Sequence, residues 1–483
     1  MPSRDLRTFI ARLESAGQLR RVRAPVSPHL EIAEIASRLV ARGGPAALFE
    51  NVEGHRMPVL VGAFASMQRM AWALGGEDLD EVAERLAELL RPPAAEAGLA
   101  ETVRKGARLL GAARVRPRTV RSGPCQEVVW EGEEADVTRL PVLTCWPGDG
   151  GPFITLPQVY TRGPDGSGRN VGMYRLQVFG PRRLGLHWHR DHDGARNWRA
   201  WCERGEPMPV AVALGGDPVL TYAATAPLPY GMDELVLAGV VRGEPVRVVR
   251  CRTVPLEVPA EAEIVIEGIA APGRTALEGP FGDHTGYYSP ADHYPVLEVT
   301  AVTHRADAIY PATVVGRFPK EDGYLAKATE RLFLPLIRTV LPEVVDLDLP
   351  MFGVFHNWAF VSIRKTHPHQ ARKVMHALWG MGQMMYTKFL VVVDEGVNVH
   401  DPEEVFWRVG AEADPRRDLV VTTGPADVLD HAAPADGPAG KVGIDATRKW
   451  PEEAPGRPWP EPIAPDPEVV ERVTRRWAEY GLD

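Results

Sequence analysis

Two carboxylates stand five residues apart in Glu278-Gly279-Pro280-Phe281-Gly282-Asp283. The spacer excludes a helix interior, because Pro280 lacks an N–H and Gly279 and Gly282 are conformationally free. A tight loop that aims both acids at one place is the expectation. Clustered carboxylates acquire unequal pKa values, which suits acid/base chemistry. Such a pair needs a cation, and Arg175 in Asn170-Val171-Gly172-Met173-Tyr174-Arg175 offers one. Its planar fork matches carboxylate or phosphate. A structural Arg paired to a buried acid fits the same residues equally well.

His187-Trp188-His189-Arg190-Asp191-His192 is the richest histidine run. In a strand His187 and His189 share a face, as a zinc site would need, but no H-E-x-x-H or cysteine ligand lies near. Solvated loop histidines are the plain alternative. Glu234, in Pro229-Tyr230-Gly231-Met232-Asp233-Glu234, either caps a helix or joins Asn170 and a histidine as an O/N ligand set suited to Mg2+ or Mn2+. Lys388 precedes the apolar run Phe389–Val393 and reads from its position as a strand-end charge. The chain has no G-x-x-x-x-G-K-[ST] and no G-x-S-x-G, which disfavours P-loop and α/β-hydrolase chemistry.

These residues need a scaffold of two or three domains, the default for 483 residues of which 45% are apolar. A net charge of −9 argues against a general nucleic-acid binder. Four scattered cysteines without a C-x-x-C pair read as reduced and cytoplasmic. No signal-peptide core and no membrane-length apolar run is seen. Leu6, Phe9, Ile10 and Leu13 predict a first helix stopped at Gly17, and 76–112 reads as helical. Residues 116–124 read as a linker. From 125 to 310 short β segments dominate: Gln126–Trp130, Tyr174–Phe179, Val246–Val249, Glu263–Ile266 and Val296–Val302. They predict an all-β barrel or sandwich core. A helix over Leu325–Leu341, with Pro335 inside it, leads to a β-α-β region. There Ala359–Ile363, Phe389–Val393 and Leu419–Thr422 are strands of a mostly parallel sheet. His367-Pro368 opens a helix with Ala371, Val374, Met375 and Leu378 on one face and Gly380 as its stop. Asp401-Pro402-Glu403-Glu404 gives an N-cap, a first-turn proline and a capping-box acid. Beyond 432 the chain reads as a Pro-rich tail, with a short helix at Pro467–Tyr480, of a kind that packs on a partner subunit.

At these residues the chain resembles the UbiD family of decarboxylases, which use prenylated FMN. The resemblance runs over nearly the whole chain. It rests on the Asn170–Arg175 and Glu278–Asp283 segments, on Phe355-His356-Asn357-Trp358, on Met385-Tyr386-Thr387-Lys388-Phe389 and on the run from Gly443 to Pro451. The last three look closest to the branch acting in quinone biosynthesis. The resemblance implies a mixed α+β and α/β multidomain fold. Its parts are an N-terminal α/β region (1–115), a flavin-binding split β-barrel (116–318), a linker helix (319–345) and a C-terminal α/β domain with an oligomerisation tail (346–483). It implies Arg175, Glu278 and Asp283 as the catalytic triad, with Asp283 one methylene shorter than the Glu of some members. Asn170, His192 and Glu234 fall on ligands of Mn2+ or Mg2+, beside which K+ or Na+ is implied. Gly172, Met173, Tyr174, Arg175, Gln177 and Lys388 join these three in contacting the cofactor, with Lys388 on the phosphate side. On this reading Arg175 orients the substrate carboxylate and holds Glu278 ionised, while Asp283, kept protonated by burial and the nearby anion, delivers the proton that replaces CO2.

The reaction implied is a reversible, non-oxidative decarboxylation of an aromatic acid of polyprenyl-4-hydroxybenzoate or naphthoate type. A prenyl-flavin synthase would supply the cofactor, a lipid-tailed substrate would allow peripheral membrane association, and the chain would form a homodimer or hexamer. Three other readings compete. They are a flavin oxidoreductase on the same barrel, a non-catalytic flavin-binding subunit, and a zinc hydrolase built on His187, His189 and His192.

Overall fold

Helical spacing buries Leu6, Phe9, Ile10 and Leu13 on one face of the helix Leu6–Ser15, which Asp5 caps by accepting the Thr8 N–H. The computed structural model describes residues 3–90, 115–166, 168–434, 438–456, 458–461 and 463–482. Of the helical stretch expected over 76–112, Leu79–Leu90 is a helix and 91–112 lies outside the described residues. Four short strands, Leu19–Val22, Ala46–Phe49, Val59–Val61 and Tyr310–Ala312, form the first sheet. The fourth comes from more than two hundred residues downstream, so the first segment is completed only once the central region has folded back.

The central region is a nine-stranded, wholly antiparallel sheet. Its order is Phe153–Ile154, Leu176–Gly180, Arg183–Leu186, Asp292–His304, Ile264–Glu278, Met208–Leu214, Gln158–Thr161 and Asn170–Gly172, with Val128–Glu131 also pairing on Asp292–His304. The expected β texture is therefore present, while the strand path is open: among the described residues no pairing joins its two ends. The segment read as a linker holds a strand, Arg118–Val120, parallel to Arg247–Arg250. It is an edge strand, exposed at Arg118 and Thr119 and half-buried at Val120, so backbone pairing rather than an apolar face makes it.

The helix Glu321–Val340 joins two cores. Leu325, Ala328 and Leu332 pack with the N-terminal and central regions, while Leu334 and Ile337 pack with the C-terminal sheet, and Pro335 sits at the changeover. That sheet runs Val344–Asp348, Trp358–Ile363, Phe389–Asp394, Ala439–Asp445, Leu419–Gly424. Its three central strands are parallel and both outer pairings are antiparallel, a correction to the mostly parallel expectation. Ala439–Asp445 falls where a Pro-rich tail was expected. Its Val442 and Ile444 enter between two apolar strands, so pairing outweighs the local Gly content. The helix Gln370–Trp379 covers one face with Ala371, Val374, Met375 and Leu378, all buried, and Gly380 ends it. It starts two residues later than His367-Pro368, after His369 in a left-handed conformation. The helix Pro402–Glu412 covers the other face.

Asp401 caps that second helix by accepting the Glu403 and Glu404 N–H groups. The reciprocal half of the expected capping box is not made, because Glu404 accepts from Asn398 instead. The terminal helix ends at Arg475, and Trp477–Tyr480 is a 3-10 turn. Among the described residues no helix is long and apolar enough to cross a membrane. Asp401→Ala should lower stability by about 1 kcal/mol, read as a lower urea midpoint for the C-terminal region at unchanged slope; an unmoved midpoint would deny the cap any energetic weight.

Candidate active site

A hairpin brings the site together. Leu186 pairs with Leu176, so the next residue out, His187, lies against Arg175, whose carbonyl accepts the His187 N–H. Glu278 is the last residue of Ile264–Glu278 and reaches over Gly185, where an added Cβ would lie 3.3 Å from Glu278 Cγ. Gly279–Gly282 then turns the chain. Phe281–Gly282 pairs with Tyr288–Ser289, and Asp283 follows. The loop is held from outside: Gln177 Oε1 accepts the Gly279 N–H at 2.7 Å, and Asp149 Oδ1 accepts the Gly282 N–H at 2.8 Å. Asp149 Oδ2 also takes the Cys145 and Trp146 N–H groups. Gly282 must be glycine, since a Cβ there would sit 2.1 Å from the Trp146 ring.

Arg175 stands at the centre. Its Nε and Nη2 donate to Glu278 at 2.9 and 3.3 Å, Nη1 donates to Asp283 at 2.7 Å, and Nη2 donates to Ser289 Oγ at 2.9 Å. Four of the five guanidinium N–H groups are thus used, leaving one on Nη1. The guanidinium also lies 4.5 Å from the Phe281 ring centroid. All three charged side chains are less than a tenth exposed.

Both acids are ionised. Burial pushes Glu278 up, but hydrogen bonds from His187 and Arg175 outweigh it and hold the carboxyl below its ordinary value. Burial likewise opposes ionisation of Asp283, and His284 and Arg175 overcome it and hold the group at about 2. The resting proton expected on Asp283 is therefore absent. Two donors from His284 and one from Arg175 all stabilise the ionised form.

The three histidines do not form a zinc site. His187 Nδ1 lies 2.9 Å from Glu278 Oε2 and its Nε2 lies 2.6 Å from His189 Nε2. Burial keeps both imidazoles neutral. His187 then donates from Nδ1 to the ionised Glu278 and accepts the His189 Nε2 proton. Among the described residues the only three His, Cys or acid groups converging on one point are Glu330, Asp348 and His400, where Lys327 already bonds both acids.

Glu234 docks on the strand that begins at Asn170. Glu234 is the first residue of the helix Glu234–Arg242, capped by Asp233, and its Oε2 accepts the Val171 N–H at 2.9 Å. Burial pushes it up to about 8, and no cation is among the groups that act on it. Held that high, Glu234 is an uncharged acid near neutral pH, and a cation such as a divalent ion is what would ionise it. Asn170 is buried beside Tyr174, its Nδ2 3.5 Å from the phenol oxygen, and the His192 ring lies 4.9 Å from the Tyr174 ring. His192 is neutral, lowered by burial to about 4, but its Nδ1 accepts the His189 N–H, which puts the proton on Nε2. A metal at Nε2 would require that bond to be given up. Gly172 packs under Tyr174, and Met173 donates its N–H to Ala224. Lys388 is ion-paired with Asp430 at 2.9 Å in the C-terminal domain. Two residues before it, Tyr386 donates its hydroxyl to Asp191, next to His192.

Sequence reasoning did not find Asp149, Ser289, His187 as the Glu278 partner, or His284. Only His284, adjacent to Asp283, carried a local signal.

Family models described as the N-terminal, Rift-related and C-terminal domains of 3-octaprenyl-4-hydroxybenzoate carboxy-lyase (UbiD) match residues 10–90, 118–318 and 323–446. An uncharacterized protein of Archaeoglobus fulgidus is 47% identical over 99% of both chains. The UbiD-class enzyme HmfF from Pelotomaculum thermopropionicum, solved with FMN, is 33% identical over 97% of this chain and 99% of its own, with a TM-score of 0.81. An evolved dimeric form of that enzyme was solved with prFMN. Vanillic acid decarboxylase of Sedimentibacter hydroxybenzoicus in its closed form is 27% identical over 99% and 100%, with a TM-score of 0.86.

Depressed carboxylate pKa values stabilise the fold above the ordinary carboxylate pKa near 4 and lose that contribution as pH falls, for Asp283 through about 2. Arg175→Met removes the cation, so both acids rise and the acid edge of thermal stability moves to higher pH. Melting temperatures from pH 7 down to 2.5 check this, and coincident acid edges would refute it.

Proposed function

Because the chain belongs to the UbiD family of carboxy-lyases, we propose that it removes CO2 reversibly from an aromatic carboxylic acid with prenylated FMN bound in the open central sheet, read as the family's split barrel. The observation that carries this is the buried Glu278–Arg175–Asp283 arrangement, which a non-catalytic subunit or a plain flavin reductase would leave idle. When bound, the modified flavin supplies the electron sink that side chains lack.

The chain's own residues do the rest. The free Nη1–H of Arg175 takes a substrate carboxylate. Glu278 and Asp283 already set two negative charges against one guanidinium, so a third carboxylate is held there against net repulsion, which is relieved as it leaves as neutral CO2. Asp283, facing the same guanidinium, delivers the replacing proton. Asn170, Glu234 and His192, once it releases the His189 N–H, would hold Mn2+ or Mg2+, whose charge would offset that of the cofactor phosphate. Lys388, once free of Asp430, would add a second positive charge on the phosphate side.

Among substrates we place acids of polyprenyl-4-hydroxybenzoate or naphthoate type first, following the activity for which the matched family is described, with vanillate and related phenolic acids next. The tail helix Pro467–Arg475 has no buried residue, and Trp477 and Leu482 are exposed, which supports a homo-oligomer in which the tail covers a second copy.

Protein made with and without a prenyl-flavin synthase should release CO2 only in the first case, across a panel of these acids. Release from both preparations, or from neither with the prenylated flavin seen bound, would reject the reading for that panel. Glu278→Gln and Arg175→Ala should each lower turnover at least about 100-fold while the protein stays folded. Glu234→Ala should lower the flavin-to-protein ratio with little change in melting temperature; unchanged occupancy would remove Glu234 from the ligand set.

A further inference from the structure

Asp283 is a carboxylate at rest, yet the proposed reaction asks it for a proton. We infer that His284 is the positioning residue that keeps Asp283 ionised and resupplies that proton, an inference resting on the decarboxylase reading. His284 Nδ1 lies 2.9 Å from Asp283 Oδ1, and its backbone N–H reaches the same oxygen at 2.8 Å. The imidazole side chain is 10% exposed, covered in part by the C-terminal domain, where it stacks on Phe355 at 5.1 Å and lies beside His356 at 5.2 Å.

Its far side is unusual. His284 Nε2 is buried without a hydrogen-bond partner, and so is Asp322 Oδ2, in the first turn of Glu321–Val340. Asp322 Oδ1 is satisfied by the Gly323 N–H. The charged and titratable groups facing the ring are Asp283, Asp322, His356, and Asp427, which is paired to His356 at 3.1 Å; Arg175 lies beyond Asp283. Three carboxylates around one imidazole favour its protonated form. Burial alone would make the ring neutral, and the acids more than offset that. Two buried atoms left unpartnered are a costly arrangement, and a charge on the ring that Asp322 balances through space gives it a reason.

The proton balance closes with water as the source. The Nδ1–H bond of the imidazolium breaks and an O–H bond forms on Asp283 Oδ1, leaving both groups neutral. Asp283 then passes that proton to the carbon that lost CO2 and is again a carboxylate. His284 takes one proton from water, so one proton enters for each CO2 released. His284 touches no reacting atom and acts through Asp283 alone.

The test uses the full-length, flavin-loaded protein with isotope-labelled histidine, His284→Gln assigning the resonance. His284 should stay protonated at pH 7, and Asp283→Asn and Asp322→Asn should each lower its titration midpoint by about one unit or more. A neutral ring at pH 6 in the wild type, or midpoints unmoved in both variants, would overturn the inference. In turnover, His284→Gln should keep flavin occupancy and melting temperature but lose about 100-fold in kcat at similar KM. The wild-type rate should be full below the His284 midpoint and fall as pH rises through it, and the variant should lack that limb. Unchanged kcat and pH profile in His284→Gln would also overturn it. A wild type with the expected His284 titration but no CO2 release would count against decarboxylation, leaving the His284–Asp283 pairing established.

Discussion

One guanidinium organises the active site. Arg175 is bonded to Glu278, Asp283 and Ser289, which come from a long strand, a loop and the hairpin partner of that loop. Two buried carboxylates cannot stay ionised side by side without it, and an uncompensated buried charge costs several kcal/mol. Charge, geometry and loop shape therefore depend on the same side chain. The positions around it serve that pairing: Gln177 and Asp149 grip the loop backbone, and His187 adds a third hydrogen bond to Glu278.

The same guanidinium divides the labour between the acids. Glu278 is surrounded by Arg175 and a neutral histidine row, whereas Asp283 is surrounded by Arg175 and a histidine among acids. Their environments differ in what can be handed over. His187 is neutral, with its Nδ1 proton directed at an ionised acid, while His284 holds a transferable proton.

Much of this was legible in the chain. The Glu278–Asp283 spacing predicts a loop with two converging acids, and the helices Leu6–Ser15 and Gln370–Trp379 follow from apolar periodicity and glycine stops. What the residues could not show is long-range. Arg175 meets Glu278 across 103 positions and His187 meets it across 91, and no local pattern encodes either contact. The ionisation of Asp283 was misjudged for a related reason: burial and a like charge argue for a proton, and only the geometry reveals the three donors that remove it. Ala439–Asp445 was lost among glycines and prolines because its partners, not its propensity, make it a strand.

The helix Glu321–Val340 is rooted in two hydrophobic cores at once. A recombinant exchange of the C-terminal domain between relatives therefore has no neutral breakpoint along that rod. A junction before it transplants Leu325, Ala328 and Leu332 into a foreign N-terminal core, and one after it orphans Leu334 and Ile337. The rod also carries Asp322 at its foot, so the swap would move a charge beside His284 together with the hydrophobic seam. In a lineage of such proteins, this helix and both cores it stitches are expected to be inherited as one block.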